Sequence, residues 1–198
     1  EVKVEDVVNH LESLSGVPIG INKEELSVCL FNFQKNFVNM IASQNVENTA
    51  QFVFNLMKEI TQKLLYVNVA IFDAEEVIQE NKNMIKEAYE KFISGIKSNS
   101  KECYLGIIIG IDKFLNIIEK DDRAFENDLK EMNNHSNCNI IIVDNATKIK
   151  NHAFDSWYQT YIQSDMGIWI GNGINDQYTL TIFTSNRNLV NNCGNQFG

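Results

Sequence analysis

The most constraining feature of this 198-residue chain is a pair of short, almost entirely apolar runs. One reads YLGIIIGID over residues 104–112, and the other reads CNIIIVD over residues 138–144. A strand that is apolar on both faces is typical of a parallel sheet whose two faces are covered by helices. Neither run approaches the length of about 20 residues that a membrane-spanning helix needs. The two runs therefore predict buried parallel strands.

Segments with helical and extended periodicity alternate along the rest of the chain. Helices are predicted over residues 1–14, 47–65, 82–97, 121–132 and 152–163, and further strands over 26–33, 37–41, 67–73, 167–171 and 177–183. Strands that alternate with helices over this length form units with right-handed crossovers. We therefore predict an α/β protein with three layers, α/β/α, in which a mainly parallel sheet lies between helices.

Charge and composition limit the classes of function. The formal net charge is -9, and 17 basic residues are scattered among 26 acidic ones. Binding to nucleic acid requires clustered lysine and arginine that displace counterions, so no nucleic-acid partner is predicted. The three histidines lie far apart without metal-ligand spacing, which disfavours a zinc site. The four cysteines lack C-x-x-C spacing, which fits buried free thiols in a reducing compartment.

Three of the predicted strands end on an aspartate, namely Asp73, Asp112 and Asp144. In open α/β sheets, ligands bind at the carboxyl ends of the strands. An aspartate after four apolar residues is the Walker B arrangement, whose carboxylate holds Mg²⁺ in nucleotide-hydrolysing domains. An aspartate just beyond a strand is also a common helix N-cap, and for each of the three this interpretation comes first. Asp112 is the first candidate for the metal role and Asp144 the second.

The residues after these two aspartates bear on catalysis. A hydrolytic ATPase usually carries a second carboxylate directly after the first, where it polarises the attacking water. Lys113 follows Asp112 and Asn145 follows Asp144, and neither side chain can act as that base. We therefore assign no catalytic residue and no metal ligand.

The segment NMIASQNVENTAQF, residues 39–52, lies between a predicted strand and a predicted helix, where a phosphate-binding loop would lie. The P-loop pattern G-x-x-x-x-G-K-[ST] places Ala42 and Glu47 at its glycines, Asn48 at its lysine and Thr49 at its hydroxyl residue. The glutamate adds negative charge where phosphate would bind, and the asparagine removes the positive charge. The candidate loop comprises Ala42, Ser43, Gln44, Asn45, Val46, Glu47, Asn48 and Thr49. We predict a strand, loop and helix of P-loop shape whose phosphate cradle is altered or filled.

The order of these segments resembles a known family. The stretches GVPIGINKEEL (16–26), the loop position, IIIGID, IIIVDN and GIWIGNGINDQYTL (167–180) follow one another as in FtsK/SpoIIIE-type ATPase domains. The last stretch resembles the end of the final ATPase domain in the membrane-anchored motor of type VII secretion in Gram-positive bacteria. The resemblance covers nearly the whole chain, and VPIGI and GIWIGNGINDQ are its most specific parts.

The resemblance implies a P-loop NTPase fold of the RecA/FtsK type. It implies that residues 1–198 form one domain in the C-terminal part of a longer, membrane-anchored chain at the cytoplasmic face of the membrane. It implies as partners the neighbouring FtsK-like domains of that chain and secreted helical-hairpin proteins of the WXG type, with a homo-oligomeric parent. ATP with Mg²⁺ is the implied cofactor, with Ala42 to Thr49 as its loop and Asp112 as the Walker B aspartate. Because Glu47, Asn48 and Lys113 depart from the pattern, no cofactor is expected to bind tightly.

Three functions follow from these observations. A non-catalytic binding module would retain the fold for substrate recognition and for the regulation of protein export. An ATP-binding domain would contribute to nucleotide-driven translocation, with unusual residues in place of the lysine. A DNA translocase motor is the third, and the acidic charge disfavours it. The altered loop disfavours the ATP-binding domain.

Overall fold

The computed structural model describes residues 16–21, 26–62, 68–79, 82–98, 101–135 and 137–182. Seven β-strands and six α-helices lie within these ranges. In chain order they are β1 (Val17–Ile21), β2 (Val28–Phe31), β3 (Val38–Ser43), α1 (Ala50–Gln62), β4 (Asn68–Asp73), α2 (Ile85–Ser98), β5 (Tyr104–Ile109), α3 (Ile111–Ile118), α4 (Asp122–Asn133), β6 (Cys138–Asn145), α5 (Ala146–Asn151), α6 (Ser156–Tyr161) and β7 (Ile168–Ile170). The helix predicted over residues 1–14 lies outside the described residues. Within them, no helix combines the length and the apolar character needed to cross a membrane.

Five of the strands form one parallel sheet in the order β4-β5-β6-β3-β7. Strand β6 lies in the middle of this sheet, paired with β5 on one side and with β3 on the other. Strands β1 and β2 pair antiparallel in a separate two-stranded sheet. Parallel strands must be joined by crossovers, and here the helices lie in those crossovers. The α/β class predicted from the sequence is confirmed.

Helices cover both faces of the parallel sheet. Alternate side chains of a strand point to opposite faces, so Ile141 and Val143 of β6 pack with α1, whereas Ile140 and Ile142 pack with the other helices. Val17 of β1 also packs on the face of α1. Helices α2 to α6 lie on the opposite face. This is the three-layer arrangement that the apolar runs predicted, because a strand covered on both faces is apolar at successive positions.

A layer of aromatic rings joins the helices on the second face. The ring of Phe114, on α3, lies 5.2 Å from that of Tyr89 on α2 and 5.6 Å from that of Phe72 on β4, measured between centroids. The ring of Phe125, on α4, lies 6.1 Å from Phe114 and 5.5 Å from Trp157 on α6. All five side chains are buried. Tilted and edge-to-face contacts add to the gain from area burial, so this layer holds four helices against the sheet.

The strand predicted over residues 104–112 is shorter in the structure. Strand β5 ends at Ile109, Gly110 adopts a φ of 80°, and Ile111 begins α3. Backbone with this positive φ favours glycine, and it turns the chain from strand to helix within one residue. Asp112 therefore lies in the first turn of α3 and not at a strand end, so that part of the prediction is wrong.

Two predictions in the C-terminal part are also wrong. Residues 177–182 form no strand, because the Gln177 side-chain oxygen accepts hydrogen bonds from two backbone N–H groups further along and holds a turn. Residue 183 lies outside the described part of the chain. The helix predicted over 152–163 is limited to Ser156–Tyr161, since a turn precedes it. Within the described residues, the other predicted elements are present, with ends that differ by a few residues, and residues 63–65 and 67 of two of them lie outside those residues.

We expect Phe114→Ala to lower the free energy of unfolding by about 3–5 kcal/mol, the range for loss of a buried aromatic ring. Phe114 is 0% exposed, and its ring contacts three other rings. Phe154→Ala is the matched control, because Phe154 is 91% exposed and its truncation changes stability by about 0.5 kcal/mol or less. Urea denaturation followed by circular dichroism measures both variants. Equal losses would contradict the packing role of Phe114.

Candidate functional site

The carboxyl ends of three neighbouring strands meet at one edge of the sheet. In the register of β3 and β6, Ala42 lies beside Asp144 and Ser43 beside Asn145. Strand β5 ends on the other side of β6. Ligands of open α/β sheets bind in the crevice at such an edge. The candidate site is therefore built from the loop after β3 and from the first turns of α3 and α5.

The candidate phosphate loop is much shorter than predicted. Ala42 and Ser43 are the last two residues of β3 and are fully buried, and Val46–Thr49 form a 3₁₀ turn that continues into α1. Gln44 and Asn45 alone lie between the strand and the turn. The predicted order of strand, loop and helix is confirmed. The role of these residues in holding a nucleotide stays a prediction.

The polar groups of this loop bind one another. The Asn45 carbonyl oxygen accepts hydrogen bonds from the Ser43 hydroxyl at 2.7 Å and from the Asn48 N–H at 3.0 Å. The Asn45 side-chain oxygen accepts a longer bond, of 3.4 Å, from the Glu47 N–H. A phosphate cradle works through N–H groups that converge on an anion. In this loop, the Glu47 and Asn48 N–H groups already donate to oxygens of Asn45.

Thr49 is the one residue of the P-loop pattern that is retained in this sequence. In a working site its hydroxyl would bind Mg²⁺. Here the hydroxyl is buried and donates to the Val46 carbonyl oxygen at 2.6 Å, where it closes a turn. Given this contact and the missing glycines and lysine, the loop residues do not fit a tightly bound nucleoside triphosphate.

Asp144 is the candidate aspartate that lies at the end of a strand, next to the loop. It is completely buried. Its Oδ2 accepts a hydrogen bond from the Ile111 N–H at 2.9 Å, and its Oδ1 accepts one from the Asn145 N–H at 2.6 Å. Burial raises the pKa of Asp144 above its usual value, in spite of these bonds and of the nearby Lys148 charge. Asp144 thus caps the start of α3, a different helix from the one that follows it in the chain.

Asp112 pairs with a histidine that the sequence did not indicate. Its Oδ1 lies 2.9 Å from His152 Nε2, and the other ring nitrogen of His152 lies 2.6 Å from Asp155 Oδ2. The Asp112 side chain is 46% exposed. Its assignment as the Walker B aspartate stays a prediction, and Asp144 has the strand-end position that such an aspartate occupies. Across the described ranges, no three His, Cys, Asp or Glu side chains come together as metal ligands would.

The third aspartate, Asp73, ends β4 and holds the loop that follows. Its Oδ2 accepts hydrogen bonds from the Ile78 and Gln79 N–H groups at 2.6 and 3.0 Å. Glu76, within this loop, has a φ of 57°, in the left-handed region that residues other than glycine rarely adopt. Asp73 therefore stabilises a loop of strained backbone beside the crevice.

An ion-pair cluster at the same edge was missed by sequence reasoning. The Glu75 carboxylate, whose side chain is 10% exposed, binds Lys148 Nζ through Oε1 at 2.6 Å and Lys113 Nζ through Oε2. Burial by itself would raise the pKa of Glu75, but the hydrogen bonds from the two lysines outweigh it and lower the pKa below its usual value. The hydrogen bond to Glu75 also raises the pKa of Lys148. The partners lie 38 and 73 residues apart, so no local pattern indicates the cluster.

A cavity of about 500 Å³ lies beside the loop, between α5 and the segment after β7. Its lining includes Lys150 of α5, Trp169 of β7 and Tyr178. The indole N–H of the buried Trp169 donates to the Gly171 carbonyl oxygen at 2.9 Å, which fixes the ring as one wall. Tyr178 is 86% exposed, at the rim. Eight of the twelve residues that line the cavity are polar or charged, so it offers many hydrogen-bonding groups beside its two aromatic rings.

We expect Asp144→Ala to lower the free energy of unfolding by about 2–3 kcal/mol, because it leaves the buried Ile111 N–H without a charged acceptor. Asp112→Ala is the control, since the loss of one partly exposed hydrogen bond, to His152, costs about 1 kcal/mol. Thermal and urea unfolding of the two variants provide the measurement. If Asp144→Ala is as stable as Asp112→Ala, Asp144 does not have the capping role described above.

No protein-family model matches the chain, and no curated protein sequence is significantly similar to it. Solved structures do match it in fold. The cytoplasmic domain of EssC gives a TM-score of 0.70 at 10% identity, over 94% of this chain and 42% of that one. ATPases 2 and 3 of EssC from Geobacillus thermodenitrificans give 0.68 at 10% identity, over 94% and 40%. ATPases 2 and 3 of EccC from Thermomonospora curvata, in complex with a signal sequence peptide, give 0.63 at 9% identity, over 85% and 36%.

The chain spans less than half of the length of each of these structures. At identities of 9–10%, the likeness concerns the fold. The shared architecture is a parallel sheet of five strands flanked by helices. This chain therefore shares the α/β fold of the ATPase domains of EssC and EccC.

Proposed function

We propose that this chain is a domain of a type VII secretion motor, and that it recognises exported proteins instead of hydrolysing ATP. The fold of the EssC and EccC domains supports the first part. The resemblance of residues 167–180 to the end of the last ATPase domain of such a motor supports it as well. In this proposal the chain is one FtsK-like domain of a longer, homo-oligomeric, membrane-anchored protein. It lies beside other FtsK-like domains at the cytoplasmic face of the membrane.

The state of the loop after β3 is the observation that carries the second part. Hydrolysis of ATP depends on positioning the phosphates and on stabilising their charge. Asn48 stands where the lysine would supply that charge, and the exposed Glu47 adds negative charge beside it. Hydroxyl and N–H donors of the loop bind the oxygens of the loop. A phosphate would therefore be repelled by Glu47, and it would find these donors already bound to oxygens of the loop.

The residues in the place of a catalytic base have other partners. Asn145, after Asp144, caps α5 through its side-chain oxygen and donates to the loop after β3 through its amide nitrogen. Lys113, after Asp112, pairs with Glu75. Neither an amide nor an ammonium group can take a proton from water, so neither position supports hydrolysis.

The cavity between α5 and the segment after β7 is the recognition surface in this proposal. Its occupant is the helical C-terminal segment of a secreted WXG-type protein, bound in a helix-in-groove mode. The EccC structure supports this choice, because there a protein of the same fold is in complex with a signal sequence peptide. The exposed Tyr178 supplies an aromatic anchor, a kind of side chain that often dominates the binding energy of an interface, and the buried Trp169 forms the wall behind it.

The net charge of -9 affects how such a segment binds. The cavity itself carries one charge of each sign, on Lys150 and Asp176. An acidic domain therefore holds the segment either through apolar anchors or through basic residues on the partner. In the second case the affinity falls as salt concentration rises, because salt screens exposed charges.

The second candidate function is an ATP-binding domain that contributes to nucleotide-driven translocation. The observation in its favour is that two cations, Lys113 and Lys148, lie at the sheet edge where phosphates would approach. Both cations, however, already bind Glu75. The two candidate functions differ in whether recognition of the partner requires nucleotide.

The purified chain is expected to show no steady-state ATP turnover above the buffer blank. The physical reason is that the loop lacks the lysine charge that stabilises a transferring phosphoryl group, and that several of its donors already bind oxygens of the loop. A phosphate-release assay with Mg-ATP measures this, and Asp112→Ala and Asp144→Ala are assayed in parallel. Turnover that either substitution abolishes would overturn the proposed loss of catalysis.

A labelled peptide that covers the C-terminal segment of a WXG-type protein from the same organism is expected to bind the chain without nucleotide. Tyr178→Ala should weaken binding by about tenfold or more, as loss of an aromatic anchor does. Phe54→Ala is the matched control, because Phe54 is also exposed but lies on α1, which packs on the other face of the sheet. Fluorescence anisotropy measures the affinities. Binding that appears only after Mg-ATP is added would favour the second candidate function.

A further inference from the structure

Glu75 lies between two lysines from different parts of the fold. Lys113 belongs to α3 and Lys148 to α5, and each binds one oxygen of the Glu75 carboxylate. The side chains of Lys113 and Lys148 are 50% and 38% exposed, whereas that of Glu75 is 10% exposed. The cations therefore face solvent, and the anion between them is enclosed.

Two neighbouring ammonium groups repel each other, and a carboxylate between them offsets this repulsion. The second carboxylate nearby is Asp144, whose Oδ1 lies 3.9 Å from Lys148 Nζ. Its oxygens already accept the Ile111 and Asn145 N–H groups. Asp112 also acts on Lys148 through its charge, but Glu75 is the carboxylate that hydrogen-bonds to both lysines. Without Glu75, the two ammonium groups would have donors available for another anion.

The backbone around Glu75 is held in an unfavourable conformation. Glu76 has a φ of 57°, and such strain is frequent at ligand-binding and switch segments. Asp73 holds the loop through Oδ2, while its buried Oδ1 has no hydrogen-bond partner among the described residues. Gly110 lies against the Glu75 side chain, where a Cβ would collide with it. The contacts of Glu75 with Lys113 and Lys148 thus help to hold the strained loop after β4 beside the crevice.

We propose that Lys113 and Lys148 form an anion site for a phosphate group, and that Glu75 occupies this site as an internal competitor. Ammonium groups bind phosphate as they bind carboxylate, through charge-assisted hydrogen bonds. A phosphate-bearing ligand binds here only when the Glu75 carboxylate leaves, so the wild-type protein disfavours it. The site includes no residue of the loop after β3, and it does not depend on the recognition of a peptide.

The test compares the affinity for pyrophosphate of the wild-type chain and of Glu75→Gln, by calorimetry at constant ionic strength. The substitution removes the competing charge and keeps the shape of the side chain. We expect it to tighten pyrophosphate binding by about tenfold or more, equivalent to about 1.4 kcal/mol. Lys113→Met or Lys148→Met, added to Glu75→Gln, should abolish the gain.

Glu119→Gln is the matched control, because it breaks another Glu–Lys pair of 2.6 Å, with Lys86, on the exposed surface. This variant should bind pyrophosphate no more tightly than the wild type. A comparison of ATP with pyrophosphate in Glu75→Gln identifies the source of the phosphate. Equal affinities assign the site to the phosphate group alone, and tighter binding of ATP assigns it to a nucleotide; both results support the site.

If Glu75→Gln does not fold, Glu75→Asp takes its place, because the shorter side chain cannot reach both lysines and a smaller gain is expected. Pyrophosphate affinity equal to that of the wild type in the folded Glu75 variants would overturn the proposal. A gain that persists without the lysines, or that Glu119→Gln reproduces, would overturn it as well. Peptide binding is measured on the wild-type chain without phosphate, so the failure of one proposal is distinguishable from the failure of the other.

Discussion

The central strand β6 imposes the constraint on which the rest of the structure depends. It pairs with β5 and β3, and its residues are buried from Cys138 to Asp144. The polar backbone groups of such a strand must be paired within the protein, and its side chains must be covered on both faces. Parallel neighbours and two layers of helices satisfy these requirements together. The same burial places the Asp144 carboxylate at the sheet edge with no access to water, so it has to find donors in the protein.

Internal partners also decide the chemistry of the rest of that edge. The Ile111 N–H binds Asp144, the oxygens of Asn45 bind donors of the loop after β3, and Glu75 lies between two lysines. A ligand that replaces an existing hydrogen bond gains only the difference between the new bond and the old one. Several polar groups of this edge therefore already have partners within the protein. The neighbouring cavity of about 500 Å³ has an exposed tyrosine at its rim.

Much of the fold could be predicted from the sequence, because its signals are local. The apolar runs over 104–109 and 138–144 left no polar face, and this property alone predicted strands covered on both sides. Helical periodicity located α1 and α2, and Asp121 marked the start of α4, where its side chain accepts from the Ala124 N–H. The departures of residues 42–49 from the P-loop pattern could be read from the sequence for the same reason, since such a motif consists of consecutive residues.

The candidate site depended on contacts that no local pattern contains. Gly110 ended β5 three residues early, and that turn moved Asp112 from a strand into a helix. Asp112 then met His152, 40 residues away, and Glu75 met Lys148, 73 residues away. The sequence by itself determined most of the strands and helices, and it showed that Asn48 stands where a P-loop has its lysine. Only the tertiary structure decided which side chains form hydrogen bonds and ion pairs with one another at the sheet edge. Those contacts follow from the order of the strands and the packing of the helices, which the periodicity of a single segment does not reveal.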